Sequence, residues 1–252
     1  MNAEKTSKAD TPYGAAVPIP SISVPSTPNS FPNYDLARLA YKAGTTQCPS
    51  FVPLWINAAA LEEKSGQPSK ARALLEQARL RNPKNDWIWL AAVRTEERAG
   101  KERAAEALLA RALKECPTSG RLWAEAIRTA SVASRRAKAA DALKKCDTDA
   151  LVAAAVAALF YQDRKVDKAR SWLARAVALD SDLGDIWAMY YKFEMQYGTP
   201  EQQQAVMEKF KKADPKHGER WCRVVKDLNN AHLPSETLLK KCVVDLETLP
   251  PP

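Results

Sequence analysis

Five tryptophans recur along this chain at a fixed period. Trp55, Trp89 and Trp123 stand 34 residues apart, and Trp187 and Trp221 are again 34 apart. From Trp123 to Trp187 the gap is 64, one full period plus 30, so a unit shortened by four residues would put its tryptophan equivalent at Ala153. Other residue types share the period. Pro49, Pro83 and Pro117 are followed in phase by Asp147, Ser181 and Pro215. Gly66, Gly100 and Gly198 each lie 11 residues after a tryptophan. Ala71, Ala105 and Ala169 lie 16 after the tryptophan or its equivalent, and Ala78, Ala112 and Ala176 lie 23 after. Self-similarity at a period of this length marks a stack of small supersecondary units.

Each beat has a physical reading. From tryptophan to glycine is about three turns of helix. The glycine ends that helix, because it adopts a left-handed cap at little cost. The two alanines are seven residues apart, on one face of a second helix, and their small side chains let the paired helices approach closely. The proline then stops the second helix, as at Asn82-Pro83 and Cys116-Pro117. Alanine, leucine, glutamate, lysine and arginine dominate, and glycines number only 8, as strong helix formers require. The expected fold is all-α: an α-solenoid of antiparallel helix pairs wound into a right-handed superhelix. Trp55, Trp89, Trp123, Trp187 and Trp221, with Ala71, Ala105, Ala169, Ala78, Ala112 and Ala176, form its expected repeat core. No single repeat can bury its own apolar face, so each depends on its neighbours.

The period also divides the chain. Residues 1–32 carry six prolines among Ser, Thr and Asn and read as a disordered tail. Residues 33–248 read as the helical-repeat domain. It opens with a half repeat at 33–48, because Ala37-Arg38 precedes Pro49 as Ala71-Arg72 precedes Pro83. Repeats then start near 50, 84, 118, 148, 182 and 216. Ser235, after Pro234, reads as the N-cap of a closing helix, whose apolar stripe is Leu238, Leu239, Cys242, Val243 and Leu246. Residues 249–252 form a proline tail.

The bulk properties exclude several function classes. Apolar residues make up 46% and charged residues 27%, near the globular average. No apolar run approaches the ~20 residues of a membrane span, and the first residues lack the apolar block of a secretory signal. Five cysteines without a C-x-x-C pair fit a reducing compartment better than a disulfide framework or a zinc site. Phosphate-binding loops, dinucleotide fingerprints, zinc-protease motifs and nucleophile elbows are all missing. The two histidines, His217 and His232, fall at a repeat junction and in a loop. The chain is therefore expected to be no enzyme, with no catalytic residue, cofactor or metal. A net charge of +8 permits an anionic partner. Basic residues cluster at Arg135, Arg136, Lys138, Lys144 and Lys145, and again at Lys209, Lys211, Lys212 and Lys216. A solvated helix face and RNA-phosphate contact both account for them.

Helix pairs of this length first suggest tetratricopeptide repeats. Two positions depart from that pattern. Ala59, Val93, Ile127, Tyr191 and Val225 stand where glycine is usual, and Glu62, Glu96 and Glu194 where tyrosine is usual. A tryptophan followed by aromatics and a glutamate, as from Trp187 through Tyr190, Tyr191 and Phe193 to Glu194, resembles half-a-tetratricopeptide repeats. Arg72, Arg111, Arg170 and Arg175 on the second helices fit the same pattern, either as partners of the glutamates or on a solvated face. The runs ARALLEQARLRNPKN, WLAAVRTEERAG, LLARALKECPTSGRLWAEAI, ADALKKCDTDALV, RKVDKARSWLARAVALDSDLGDIWAMYYKFEMQYGTPEQQ and DPKHGERWCRVVKD, with the short repeat among them, closely resemble the C-terminal repeats of the pre-mRNA-processing factor 6 family. The likeness covers roughly residues 33–230, and members of the family are several times longer. The resemblance implies a nuclear, non-catalytic splicing scaffold that joins spliceosomal proteins of the U4/U6-U5 tri-snRNP. A peptide-binding adaptor of the tetratricopeptide kind, and direct contact with snRNA or pre-mRNA through basic faces, are the alternatives. Partner-binding residues are not identifiable from the sequence.

Overall fold

The computed structural model describes residues 34–248. The predicted tails at 1–32 and 249–252 lie outside the described residues. Within them the chain forms thirteen α-helices and one short 3-10 turn. A half unit, α1 (Tyr34–Gln47), is followed by pairs: α2 (Val52–Lys64) with α3 (Pro68–Arg81), α4 (Asp86–Arg98) with α5 (Glu102–Glu115), and α6 (Gly120–Thr129) with α7 (Val132–Lys145). Next come α8 (Ala150–Gln162) with α9 (Val166–Leu179) and α10 (Gly184–Tyr197) with α11 (Pro200–Ala213). The seven-residue α12 (Glu219–Val225), the turn Leu228–Asn230 and α13 (Ser235–Thr248) complete the order. No strand occurs among the described residues, only an isolated bridge between Leu183 and His217.

The helices stack by nearest neighbours. The first helix of each early pair packs on its own partner and on the first helix of the next pair: α2 on α4, α4 on α6, and α6 on α8. The apolar core is divided accordingly. One cluster joins α2, α3 and α4 around Trp55, and a second joins α4, α5 and α6 around Trp89. A third joins α6, α7 and α8, and the largest runs from α8 to α13 around Trp187, Phe210 and Trp221. This is the layout of an α-solenoid, in which each unit is stabilised by adjacent units.

The 30-residue unit is shortened in one place. After Trp89, α4 continues to Arg98 and α5 begins at Glu102; after Trp123, α6 stops at Thr129 and α7 begins at Val132. The four missing residues are thus the last turn of the first helix and part of the turn after it. Arg135 occupies the position held by Ala71, Ala105 and Ala169 elsewhere. Its guanidinium donates to the Ala130 carbonyl at 3.0 Å, where α6 has ended.

Two capping expectations need revision. Gly66 and Gly100 have φ of +74° and +69°, the left-handed conformation expected of them. Gly198 does not: its φ is −95°, and a β-carbon there would fall 2.2 Å from a Glu194 carboxylate oxygen. Close approach, rather than handedness, calls for glycine at 198. The left-handed position of the α8–α9 turn is taken instead by Arg164, with φ of 55°. Ser235 is the first residue of α13 and not its cap, because the Pro234 carbonyl already accepts from the Thr237 and Leu238 amides. Leu238, Leu239, Cys242 and Val243 are buried, and Leu246 is partly so.

Candidate functional site

The structure joins two beats of the sequence in one interaction. The indole N–H of each periodic tryptophan donates to the backbone carbonyl six residues before it. Trp55 donates to Pro49 at 2.9 Å, Trp89 to Pro83 at 2.7 Å, Trp123 to Pro117 at 2.9 Å, Trp187 to Ser181 at 2.8 Å and Trp221 to Pro215 at 2.8 Å. Ser181 serves as well as proline, so the carbonyl is what the indole needs. A buried tryptophan requires such a partner for its N–H, which gives a reason why tryptophan and not phenylalanine holds these positions.

Four of the five rings are buried; Trp123 is only partly so. Its helix α6 is a turn shorter and packs less extensively on α7 than α4 does on α5. Ala71, Ala78, Ala105, Ala112, Ala169 and Ala176 are all buried. Ala153, the tryptophan equivalent of the shortened phase, is buried too. Adjacent pairs approach closely at Gly120, where a β-carbon would lie 1.9 Å from the Asp149 side chain, and at Gly184, where it would lie 2.3 Å from the Trp221 ring.

The glutamates at the atypical position are buried and pair with arginines of the preceding second helix. Arg38 Nε donates to Glu62 at 2.8 Å, Arg72 Nε to Glu96 at 2.7 Å, and Arg170 Nε to Glu194 at 2.8 Å. The hydrogen bond from Arg38 holds the Glu62 carboxyl below its ordinary range. The Glu194 carbonyl and that of Gly198 accept from the Gln203 side chain, which ties α10 to α11. Of the other predicted arginines, Arg175 pairs with Asp147 at 2.7 Å, and Arg111 lies over the Trp89 ring, 5.9 Å from its centroid.

A further set of charges, not legible as a pattern, runs across the first helices. Arg98 on α4 donates to Glu63 on α2, and Arg128 on α6 reaches back to Glu97 on α4 at 2.6 Å. Arg94 pairs with Glu125 at 3.6 Å and with Glu219 at 2.7 Å, although Glu219 lies 125 residues further along the chain. Burial alone would pull the Arg94 guanidinium down, but the two carboxylates outweigh it and hold it above its ordinary value. Trp87, outside the periodic set and 45% exposed, is covered on one face by Arg121, 3.4 Å from the ring centroid.

His217 sits against Asp182 in the turn before α12. Among the described residues no cluster of three or more His, Cys, Asp or Glu is placed to hold a metal ion. Cys116, Cys146 and Cys242 are buried free thiols, and burial pushes Cys242 up to about 12. Cys48, at the same repeat position as Cys116 and Cys146, is exposed. The basic clusters are partly neutralised: Arg136 pairs with Asp163 at 2.6 Å, Lys211 with Glu236 at 2.5 Å, and Lys216 with Asp214. No helix among the described residues is long and apolar enough to cross a membrane.

Comparison with known proteins is in keeping with this architecture. A tetratricopeptide repeat family matches residues 63–128. The chain is 43% identical over 205 residues to pre-mRNA-splicing factor prp1 of Schizosaccharomyces pombe, covering 81% of this chain and 22% of that protein. It is 50% identical over 109 residues to the protein STABILIZED1 of Arabidopsis thaliana, covering 43% of this chain and 11% of that one. It is 56% identical over 96 residues to human pre-mRNA-processing factor 6, covering 38% of this chain and 10% of that one. The chain therefore spans about a fifth of the length of the first of these relatives and about a tenth of the other two. Among solved structures it is similar to the Cut9–Hcn1 assembly of APC/C, with a TM-score of 0.47, 15% identity, and coverage of 83% of this chain and 40% of that one. It is also similar to the tetratricopeptide protein YrrB, with a TM-score of 0.40, 14% identity, and coverage of 71% of this chain and 94% of that one. The chain is thus a tetratricopeptide-like helical array, homologous to the pre-mRNA splicing factors prp1 and pre-mRNA-processing factor 6.

Proposed function

We propose that this chain is a non-catalytic scaffold of nuclear pre-mRNA splicing, which binds protein components of the U4/U6-U5 tri-snRNP and helps to hold them together. The observation that carries this reading is the 43% identity to a splicing factor over 205 residues, 81% of the chain. The structure supports it in kind. Buried indoles, alanines and glutamate–arginine pairs fix the spacing of successive helix pairs, and the solvent-facing residues between them form its surface. An array of this sort works by presenting an extended surface, with no bond made or broken.

The test is affinity purification of the tagged chain from nuclear extract, with the bound proteins identified by mass spectrometry. Proteins of the tri-snRNP are expected to be enriched over a tag-only control. Recovery of none of them by a chain whose circular dichroism shows it folded would contradict the proposal.

A further inference from the structure

One ion pair joins helices that are far apart in the array. Arg98 with Glu63, Arg128 with Glu97 and Arg94 with Glu125 each link the first helix of one pair to the first helix of the next. Arg94 with Glu219 links α4 to α12 at 2.7 Å, although α6, α8 and α10 stand between them in the order of first helices. The two helices do not pack as neighbours do: α12 packs on α10 and α13, and α4 on α2, α3, α5 and α6. The row of first helices therefore curves back until α12 faces α4, and the ion pair spans what is left open. α6 reaches the same place. Burial pulls the Arg121 guanidinium of α6 down, while the Asp86 and Glu219 charges hold it up.

Two properties let this pair open where others cannot. Glu219 sits in the first turn of α12 with its side chain 63% exposed, so water takes it up readily on release. Arg94 is less exposed, but it keeps Glu125 at 3.6 Å, so release strands no buried charge. The Arg170–Glu194 pair differs, because Glu194 is buried and would be left uncompensated. In a stack of repeats the curvature follows from small rotations at each interface. Slight changes at each interface from α4 to α12 therefore add up to a large change across the opening.

We propose that Arg94 and Glu219 form an ionic latch that holds α12 against α4, and that its release widens the space between the first helices for a partner. The inference goes beyond the splicing reading and stands whether or not that reading does. A surface-accessible pair of this kind shifts a closed–open balance by about two- to fivefold, and salt screens it.

The test is double electron–electron resonance between nitroxide labels at Lys84→Cys, in the turn before α4, and Lys226→Cys, at the end of α12. Both positions are exposed and lie outside the latch. Cys48→Ser and Cys222→Ser remove the accessible native thiols, and Cys116, Cys146 and Cys242 are buried. At low salt the shorter component should dominate the distance distribution. Glu219→Gln should raise the ratio of longer to shorter distances by about two- to fivefold. Salt at about 1 M, where the screening length falls to about 3 Å, should do the same with the latch intact and add nothing in Glu219→Gln. Glu106→Gln, an exposed glutamate of α5, should leave the low-salt distribution unchanged, and circular dichroism should show both variants folded. An unchanged distribution in Glu219→Gln overturns the proposal, because something other than the pair then holds α12 against α4. So does a salt effect of the same size in Glu219→Gln. An equal shift in Glu106→Gln overturns it too, because net charge and not the latch would then set the opening.

Discussion

Replacing Trp187 by alanine will lower the stability of the helices from α8 onward by about 3–5 kcal/mol, the cost of deleting a large buried aromatic. The ring is buried in the largest apolar cluster and packs edge-on against Phe210 at 6.2 Å. Its N–H also holds the Ser181 carbonyl, which the substitution would leave without that donor. Because the core is divided into neighbouring clusters, the damage should be local. The clusters around Trp55 and Trp89 share no residue with that of Trp187. Urea unfolding followed by circular dichroism is therefore expected to become biphasic, with the later helices melting first. Trp123→Ala is expected to cost less, since that ring is only partly buried.

Arg170→Ala will destabilise the same region by about 3 kcal/mol, because removing one partner of a buried ion pair leaves the other charge uncompensated. Glu194 is 1% exposed, and Arg170 grips both of its carboxylate oxygens, at 2.8 and 3.1 Å. The guanidinium also lies 5.5 Å from the Phe193 centroid, so some packing is lost as well. A double variant, Arg170→Met with Glu194→Leu, should be more stable than Arg170→Ala alone, since it removes both charges and keeps apolar volume. Midpoints from the same urea titration decide this. If the double variant is no more stable than the single one, the uncompensated charge is not the source of the cost.

Much of the array was legible because its packing is periodic. The tryptophan and alanine beats report on one face of each helix, and that face is what neighbouring units bury. The link between the tryptophan and proline beats was not legible, because an indole-to-carbonyl bond joins two positions that each looked sufficient alone. The glutamates could be read as paired or solvated, and only the structure sets Arg38, Arg72 and Arg170 against Glu62, Glu96 and Glu194. The spacing gave the length of the four-residue deletion but not its place. Consequently Arg135 looked like one basic residue among several, when it stands where an alanine stands in other units. Gly198 shows the limit of reading handedness from residue type: close approach to Glu194 demands a glycine there just as a left-handed cap would. The Arg94–Glu219 pair leaves no trace in the period, because it depends on how successive helices turn about one another.

The most direct test of the central claim is a replacement in fission yeast. The segment of prp1 that aligns with this chain is exchanged for this chain's residues 34–248 in cells that depend on the exchanged gene. If these residues form a splicing scaffold of the prp1 type, the cells grow, the chimaera sediments with the tri-snRNP, and introns are removed at near-normal levels. A chimaera that is expressed and folded, yet is absent from the tri-snRNP while unspliced pre-mRNA accumulates, would contradict the account.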